Sequence, residues 1–143
     1  AKKWNFARYE RIYLIKGEKN MKFYRCKHCG NIIAYVKNSG VKVVCCGEPM
    51  EEIVANSVDA AQEKHVPVLT VKNNVAHVTV STVEHPMTLE HYIEWVAIET
   101  KFGNQRKQLL PNTRPEVSFA LLEGDEVLNV YAYCNLHGLW RNK

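Results

Sequence analysis

Two β-branched runs near the middle of the chain decide the fold: Val66-Pro-Val-Leu-Thr-Val71 and Val75-Ala-His-Val-Thr-Val80, separated by Lys72-Asn73-Asn74. Valine and threonine favour strands because their side chains pack well on a pleated surface. Two such runs separated by a short Asn-containing stretch are typical of a β-hairpin. The sequence therefore predicts a hairpin over residues 66–80.

Similar runs follow downstream. Residues 92–98 alternate partly, residues 117–122 and 127–133 flank Glu123-Gly124-Asp125, and Gly103-Asn104 predicts a turn. Several short strands with regular turn signals are typical of a β-sandwich. Helix signals are weak throughout. We therefore predict an all-β chain with a sandwich over residues 57–143.

Upstream, residues 21–56 form a short unit that carries four cysteines and the glycines 30, 40 and 47. Its apolar runs are too short for a core of its own, and units this small usually need a metal or disulfide. We predict a metal-stapled knuckle here. Residues 1–20 are then a separate leader: an exposed tail, an additional strand or a cloning remnant.

Charge and hydropathy exclude some classes of protein. The net charge of the 143 residues is +4, and residues 1–20 alone, with six basic and two acidic side chains, account for it. A neutral body disfavours nucleic acid as a partner. No apolar run approaches the ~20 residues of a membrane helix, and because the first residues contain no continuous apolar stretch we expect no secretory signal. We expect a cytoplasmic protein without membrane contact.

The first chemical motif is Cys26-Lys-His-Cys29, completed by the adjacent pair Cys45-Cys46. Five cysteines in all, an odd number, favour thiolate ligation in a reducing compartment over a disulfide framework. Four thiolates suit zinc or a single iron about equally. Adjacent cysteines can reach one ion only if the backbone bends, which Gly47 makes easier. His28 is expected to be solvated.

The second motif combines histidines with a late cysteine. Cys134-x-x-His137 precedes Gly138, where a strand is predicted to end, and His85 and His91 bracket a proline-containing loop. Imidazoles with one thiolate suit iron, copper or zinc. A blue-copper site is disfavoured, since no methionine follows His137. His77 has the position of an ordinary strand residue.

Taken together, these motifs resemble the superoxide reductase family in its two-iron, desulfoferrodoxin-like form. The similarity runs from Met21 to the C-terminus through Cys26-x-x-Cys29, Cys45-Cys46, Glu63-Lys-His65, His85-Pro86, His91 and Cys134-Asn-x-His-Gly-x-Trp140. It implies a desulforedoxin-like knuckle joined to an immunoglobulin-like β-sandwich, and a homodimer. It also implies two irons per chain, the first held by the four early cysteines and the second by His65, His85, His91, His137 and axial Cys134.

The resemblance implies that the second iron reduces superoxide to hydrogen peroxide without releasing dioxygen. Glu63 then caps the oxidised iron, and Lys64 attracts the anion and delivers protons. A rubredoxin-like protein supplies the electrons. The alternatives are a non-catalytic iron electron carrier and a zinc-ribbon adaptor, which would leave the histidines unexplained.

Overall fold

The computed structural model describes residues 21–142, which fold into a small knuckle and a β-sandwich. The predicted leader, residues 1–20, lies outside the described residues. Among those described, no helix is long and apolar enough to cross a membrane. The all-β prediction is confirmed, with one exception, a four-residue helix.

The knuckle consists of five short strands. Three of them form an antiparallel sheet in the order β2-β1-β5, and the other two pair as a separate ribbon. The strands are β1 Phe23–Arg25, β2 Ile32–Ala34, β3 Val44–Cys45, β4 Glu48–Pro49 and β5 Glu51–Ile53. Few side chains of the knuckle are buried: Phe23 on β1, and Cys26 and Met50 between strands.

The sandwich follows the helix α1 and contains two antiparallel sheets. One has the order β10-β7-β6 and the other β12-β11-β8-β9. The elements are α1 Gln62–His65, β6 Val68–Lys72, β7 Val75–Thr79, β8 Ile93–Thr100, β9 Gly103–Gln108, β10 Glu116–Ala120, β11 Val127–Cys134 and β12 Gly138–Arg141. The immunoglobulin-like sandwich is thus confirmed, whereas the division of the chain at residues 56 and 57 stays a prediction.

The central strands of the four-stranded sheet, β8 and most of β11, are buried on both faces. In β11, Val130, Ala132 and Cys134 belong to the core between the two sheets. The alternating residues Tyr131 and Tyr133 face the knuckle instead, where Phe23 packs against them. Because successive side chains of a strand point to opposite faces, this one strand contributes to both cores. It also places Cys134 on the face that looks into the sandwich.

Aromatic rings form much of the contact between knuckle and sandwich. The ring of Phe23 lies 4.9 Å from Trp95 and 5.4 Å from Tyr131, measured between centroids. Trp95 in turn stacks on Tyr133 at 5.4 Å. Offset and tilted pairs at these distances are favourable beyond the area they bury. Phe23 thus anchors the weakly packed knuckle to the sheet.

Two local predictions were wrong, and one strand was missed. Gly103-Asn104 is not the turn: β9 begins at Gly103, and the turn lies at residues 101–102. The strand β9 was missed because its sequence, Gly-Asn-Gln-Arg-Lys-Gln, has no apolar alternation, as an edge strand allows. Nor does a strand end at Gly138; β11 ends at Cys134 and Gly138 begins β12.

Candidate metal centres

The four cysteines of the knuckle meet at one point. One sulfur from each of Cys26, Cys29, Cys45 and Cys46 lies within 4.8 Å of the others, and all are free thiols. The sulfurs of Cys29 and Cys45 are 3.6 Å apart. A tetrahedron with metal–sulfur bonds of about 2.3 Å has edges of about 3.8 Å. The cluster therefore has the dimensions of a four-thiolate metal site.

The backbone at the adjacent pair bends as the sequence predicted. Cys46 has φ 52° and Gly47 has φ 78°, both in the left-handed region. A residue other than glycine is uncommon there, so the bend brings the sulfurs of Cys45 and Cys46 to the same side at some cost. On the other side of the site, the Cys29 N–H points at the Cys26 sulfur, 3.5 Å away.

The thiols of Cys26 and Cys46 differ in pKa. The hydrogen bond from the Cys29 backbone lowers the pKa of Cys26 to about 6. Hydrogen bonds with Cys29 and then Cys26 raise the pKa of Cys46 to about 12. One thiolate forms readily, but further negative charge is resisted until a cation neutralises it. The set fits a zinc or iron ion.

Charged side chains lie close to the cysteines of this site in the sequence and contact one another. Glu48 accepts from Lys27 at 2.8 Å and lies 3.2 Å from Nε2 of His28. The His28 side chain is 48% exposed. It occupies a solvated position beside Glu48, as the sequence predicted, and is not one of the clustered metal-ligating groups.

The second cluster is a closed circuit of four imidazole rings. His65 lies 4.7 Å from His85, His85 lies 4.7 Å from His91, His91 lies 5.1 Å from His137, and His137 lies 4.9 Å from His65, between centroids. Adjacent rings are nearly perpendicular, at 73–84°. Each ring therefore presents an edge to the next, as imidazoles do around a shared ion.

The buried thiol of Cys134 joins this circuit. One atom from each of His65, His91, His137 and Cys134 lies within 4.8 Å of the others. The Nε2 of His65 and the Nδ1 of His137 are 3.1 Å apart. Two nitrogens at about 2.1 Å from one ion and at right angles would be about 3 Å apart. His85 contacts the group through its ring but is outside this tighter set.

The ligand candidates come from four separate places in the fold. His65 ends α1, His85 and His91 lie in the segment between β7 and β8, Cys134 ends β11, and His137 lies in the turn before β12. A β-bulge shifts the register of β8 against β11 between Tyr133 and Cys134. Bulges commonly re-aim side chains beside functional sites.

Backbone carbonyls fix the protonation of two rings. The Nδ1 of His65 is 2.7 Å from the Ala61 oxygen, and that of His85 is 2.6 Å from the Pro86 oxygen. Carbonyl oxygen only accepts, so in each ring Nδ1 carries the proton and Nε2 keeps its lone pair. The Nε2 atoms of His85 and His91 are buried without a partner in the described structure. Buried polar atoms without partners are uncommon, and a bound cation would satisfy both.

Burial also keeps these imidazoles neutral. Desolvation lowers the pKa of His85 to about 4 and lowers the pKa values of His65 and His91. Burial raises the pKa of the Cys134 thiol. Neutral imidazoles can bind a metal without first losing a proton, whereas Cys134 needs a cation to favour its thiolate. The donor set and its surroundings thus fit a mid-softness metal such as iron.

Glu63 and Lys64 are both exposed on α1, directly before His65. The charge of Lys64 contributes to the lowered pKa values of His65 and His91, after burial and the neighbouring histidine charges, so Lys64 acts on the site electrostatically. For Glu63 the contacts are through its backbone oxygen, which accepts from Val83 N and Thr82 Oγ1. The structure does not bring the Glu63 carboxylate into the metal-ligating cluster.

His77 is a sheet residue, as predicted. Its Nδ1 lies 2.7 Å from the hydroxyl of Ser118 on the neighbouring strand, and its Nε2 lies 3.6 Å from Glu116.

Comparison with known proteins gives the family. The family model described as Desulfoferrodoxin matches residues 57–143, and the model of the Desulfoferrodoxin N-terminal domain matches residues 18–53. The chain belongs to the desulfoferrodoxin family. The desulfoferrodoxin of Syntrophotalea carbinolica is 42% identical over 123 residues, which cover 86% of this chain and 96% of the relative.

A solved structure and a second curated relative agree with this desulfoferrodoxin assignment. The crystal structure of the superoxide reductase from Treponema pallidum superposes with a TM-score of 0.75 and 40% sequence identity, covering 87% of this chain and all of that one. A superoxide reductase from Thermococcus kodakarensis is 32% identical, over 61% of this chain and 90% of its own. The family resemblance inferred from the motifs is confirmed.

Sequence reasoning missed the groups that surround the ligands. It assigned no role to Asn135 or Trp140, although both lie in the Cys134–Trp140 motif on which the resemblance rests. The carbonyls of Ala61 and Pro86 carry no sequence signal at all, because every residue has one. The individual ligand assignments stay predictions, which the geometry favours.

Proposed function

We propose that this desulfoferrodoxin is a superoxide reductase with two irons per chain. The observation that carries the proposal is the circuit of four imidazoles joined by the buried Cys134 thiol. The relatives named superoxide reductase support the same activity. The reaction is O₂⁻ + e⁻ + 2H⁺ → H₂O₂, so one electron and two protons must reach the substrate.

A ferrous ion bound at this site would supply the electron and a coordination position for the anion. His65, His85, His91 and His137 would hold it without adding negative charge, so they would not repel superoxide. Cys134 would supply the single thiolate, a ligand that donates electron density to a metal. The first iron is proposed at Cys26, Cys29, Cys45 and Cys46.

Lys64 is proposed to attract superoxide and to bring protons to it. It is exposed, and its charge is felt at two of the histidines. A cation beside an open site can raise association rates by roughly 10–10³-fold, an effect that falls with salt. Glu63, one residue earlier, is proposed as a carboxylate that would serve as a further ligand to the iron in its oxidised state.

Partners and compartment complete the proposal. A rubredoxin-like protein would return the electron, which makes the protein part of an electron transport chain. The functional unit is proposed to be a homodimer in the cytoplasm, where a reducing environment keeps all five cysteines as thiols.

The test begins with metal content. Anaerobically purified protein should hold two irons per chain and show two separable thiolate-to-iron absorption bands on oxidation. Rapid mixing of the reduced protein with superoxide should then give one peroxide per iron oxidised and no dioxygen. Zinc at the first site with no iron at the second even after reconstitution would refute the enzyme. Reversible redox cycling without reaction with superoxide would identify a non-catalytic electron carrier instead.

Two variants separate the roles of the residues. Cys134→Ser should abolish superoxide reduction and the second absorption band while the first band persists. Lys64→Ala should slow the second-order reaction and weaken its salt dependence. Lys72→Ala is the matched control, since Lys72 is another exposed lysine, at the turn end of β6. Equal rates and salt slopes for the two lysine variants would remove Lys64 from the mechanism.

A further inference from the structure

Two residues of the Cys134–Trp140 segment have no ligand role, yet each contacts the segments that carry the histidines. They are Asn135, next to the candidate ligand Cys134, and Trp140, on β12. Asn135 is half-buried and Trp140 is 1% exposed.

Asn135 holds the backbone on both sides of His91. Its Oδ1 accepts from Tyr92 N at 3.0 Å, and its Nδ2 donates to Glu90 O at 2.8 Å. Its own backbone N–H donates to Tyr92 O at 3.2 Å. Three hydrogen bonds thus tie the turn after Cys134 to the loop that carries His91. Without these bonds, the loop would hold the His91 imidazole less firmly relative to the Cys134 thiol.

Trp140 connects two other imidazoles. Its ring stacks on His65 at 4.8 Å between centroids with only 26° between the planes. Its indole Nε1–H donates to the His137 carbonyl at 3.1 Å. His65 lies at the end of a helix of four residues, which provides little rigidity of its own. The buried indole therefore packs against one face of the His65 ring, and its hydrogen bond fixes the backbone of His137.

We propose that Asn135 and Trp140 are positioning residues of the second metal centre. Asn135 fixes the position of His91 relative to Cys134. Trp140 fixes the position of His65 relative to His137. Partners that orient metal ligands typically matter by 10–100-fold in metal affinity. The inference rests on metal binding at the site of the proposed function, and not on superoxide chemistry.

The chain offers a close control for Asn135. Asn142 makes the same pair of contacts with Val130 that Asn135 makes with Tyr92: its Oδ1 accepts from Val130 N at 2.8 Å, and its backbone N–H donates to Val130 O at 3.1 Å. Its side chain is also half-buried. Asn142→Ala therefore removes an equivalent amide–backbone bond at a place without a metal-ligand candidate.

The experiment compares Asn135→Ala with Asn142→Ala in the full-length, iron-loaded protein. Three quantities are measured on each: the electron paramagnetic resonance spectrum of the oxidised second centre, the wavelength of its thiolate band, and the rate of iron loss to a chelator. Asn135→Ala should change both spectra and speed iron loss by roughly 10–100-fold. Asn142→Ala should leave all three unchanged even if both variants unfold more easily.

Trp140 is tested by a graded pair. Trp140→Phe keeps a ring against His65 but loses the N–H donor, and Trp140→Leu loses both, so the spectral change should be larger for Leu. Trp95→Leu is the control, since it removes a buried indole that stacks on Tyr133 on the other face of the sheet.

Wild-type spectra and iron retention in Asn135→Ala and Trp140→Phe would overturn the proposal. Altered spectra in Asn142→Ala or Trp95→Leu of the same size would also overturn it, because the effect would then be general destabilisation. Normal spectra with no superoxide activity in the wild type would refute the proposed function alone.

Discussion

His85 should make the metal-free protein unstable to mild acid. Its side chain is 2% exposed, and burial lowers its pKa from 6.5 to about 4. The unfolded chain therefore binds a proton at a pH where the folded chain does not. A group of this kind leaves stability intact above the unfolded pKa and removes it as the pH falls from 6.5 towards 4.

The size of the effect follows from the two pKa values. A tenfold change in a proton-binding constant corresponds to about 1.4 kcal/mol, so His85 removes about 3 kcal/mol of unfolding free energy between pH 7 and pH 4. That is a large part of the 5–15 kcal/mol typical of a domain. His65 and His91, whose pKa values are also lowered, act in the same direction.

The assay is urea unfolding of reduced, metal-free protein at several pH values between 7 and 4, followed by tryptophan fluorescence. The variant is His85→Gln, which keeps a polar side chain but cannot titrate. Carboxylates and the other histidines titrate in both proteins, so the difference between their pH profiles reports on His85 together with its coupling to the neighbouring His65 and His91. The wild type should lose about 3 kcal/mol more than the variant. Parallel profiles would refute the idea that His85 is buried in its neutral form.

Three further predictions concern the knuckle and the β11–β12 turn. Phe23→Ala should destabilise the protein by about 3–5 kcal/mol, the usual cost of removing a buried phenylalanine, in chemical denaturation; a loss no larger than that of a surface substitution would contradict its anchoring role. Removing the metal from the first site with a chelator should increase hydrogen exchange in residues 21–53 earlier than in the sandwich, because so few knuckle side chains are buried. Simultaneous exchange in both parts would show that they unfold as one. Gly138→Ala should lower the free energy of unfolding by about 1–3 kcal/mol, because Gly138 has a φ of +77° that alanine adopts only with strain. A Cβ there would meet Val58 at 3.6 Å, an ordinary contact, so the expected cause is the backbone and not a clash. An unchanged melting temperature would argue against strain at this turn.

The sequence by itself determined the fold class and the chemistry of the two sites. The β-branched runs at 66–71 and 75–80 are explicit strand signals, and β6 and β7 lie within a residue or two of them. Cysteine and histidine are rare enough that their spacing is informative, so the clusters around Cys26 and Cys134 were visible without coordinates. The bend at Cys46 also followed from local stereochemistry, since neighbouring side chains cannot otherwise face one ion.

Only the tertiary structure decided how the second site is assembled and supported. His65 and His137 are 72 positions apart, yet their ring nitrogens lie 3.1 Å from each other. No local pattern encodes that distance, because it depends on the packing of α1 against the β11–β12 turn. The same holds for the stacking of Trp140 on His65 and for the bonds of Asn135 to Glu90 and Tyr92. Residue type and spacing determine which ligands are available, whereas long-range packing determines which atoms meet.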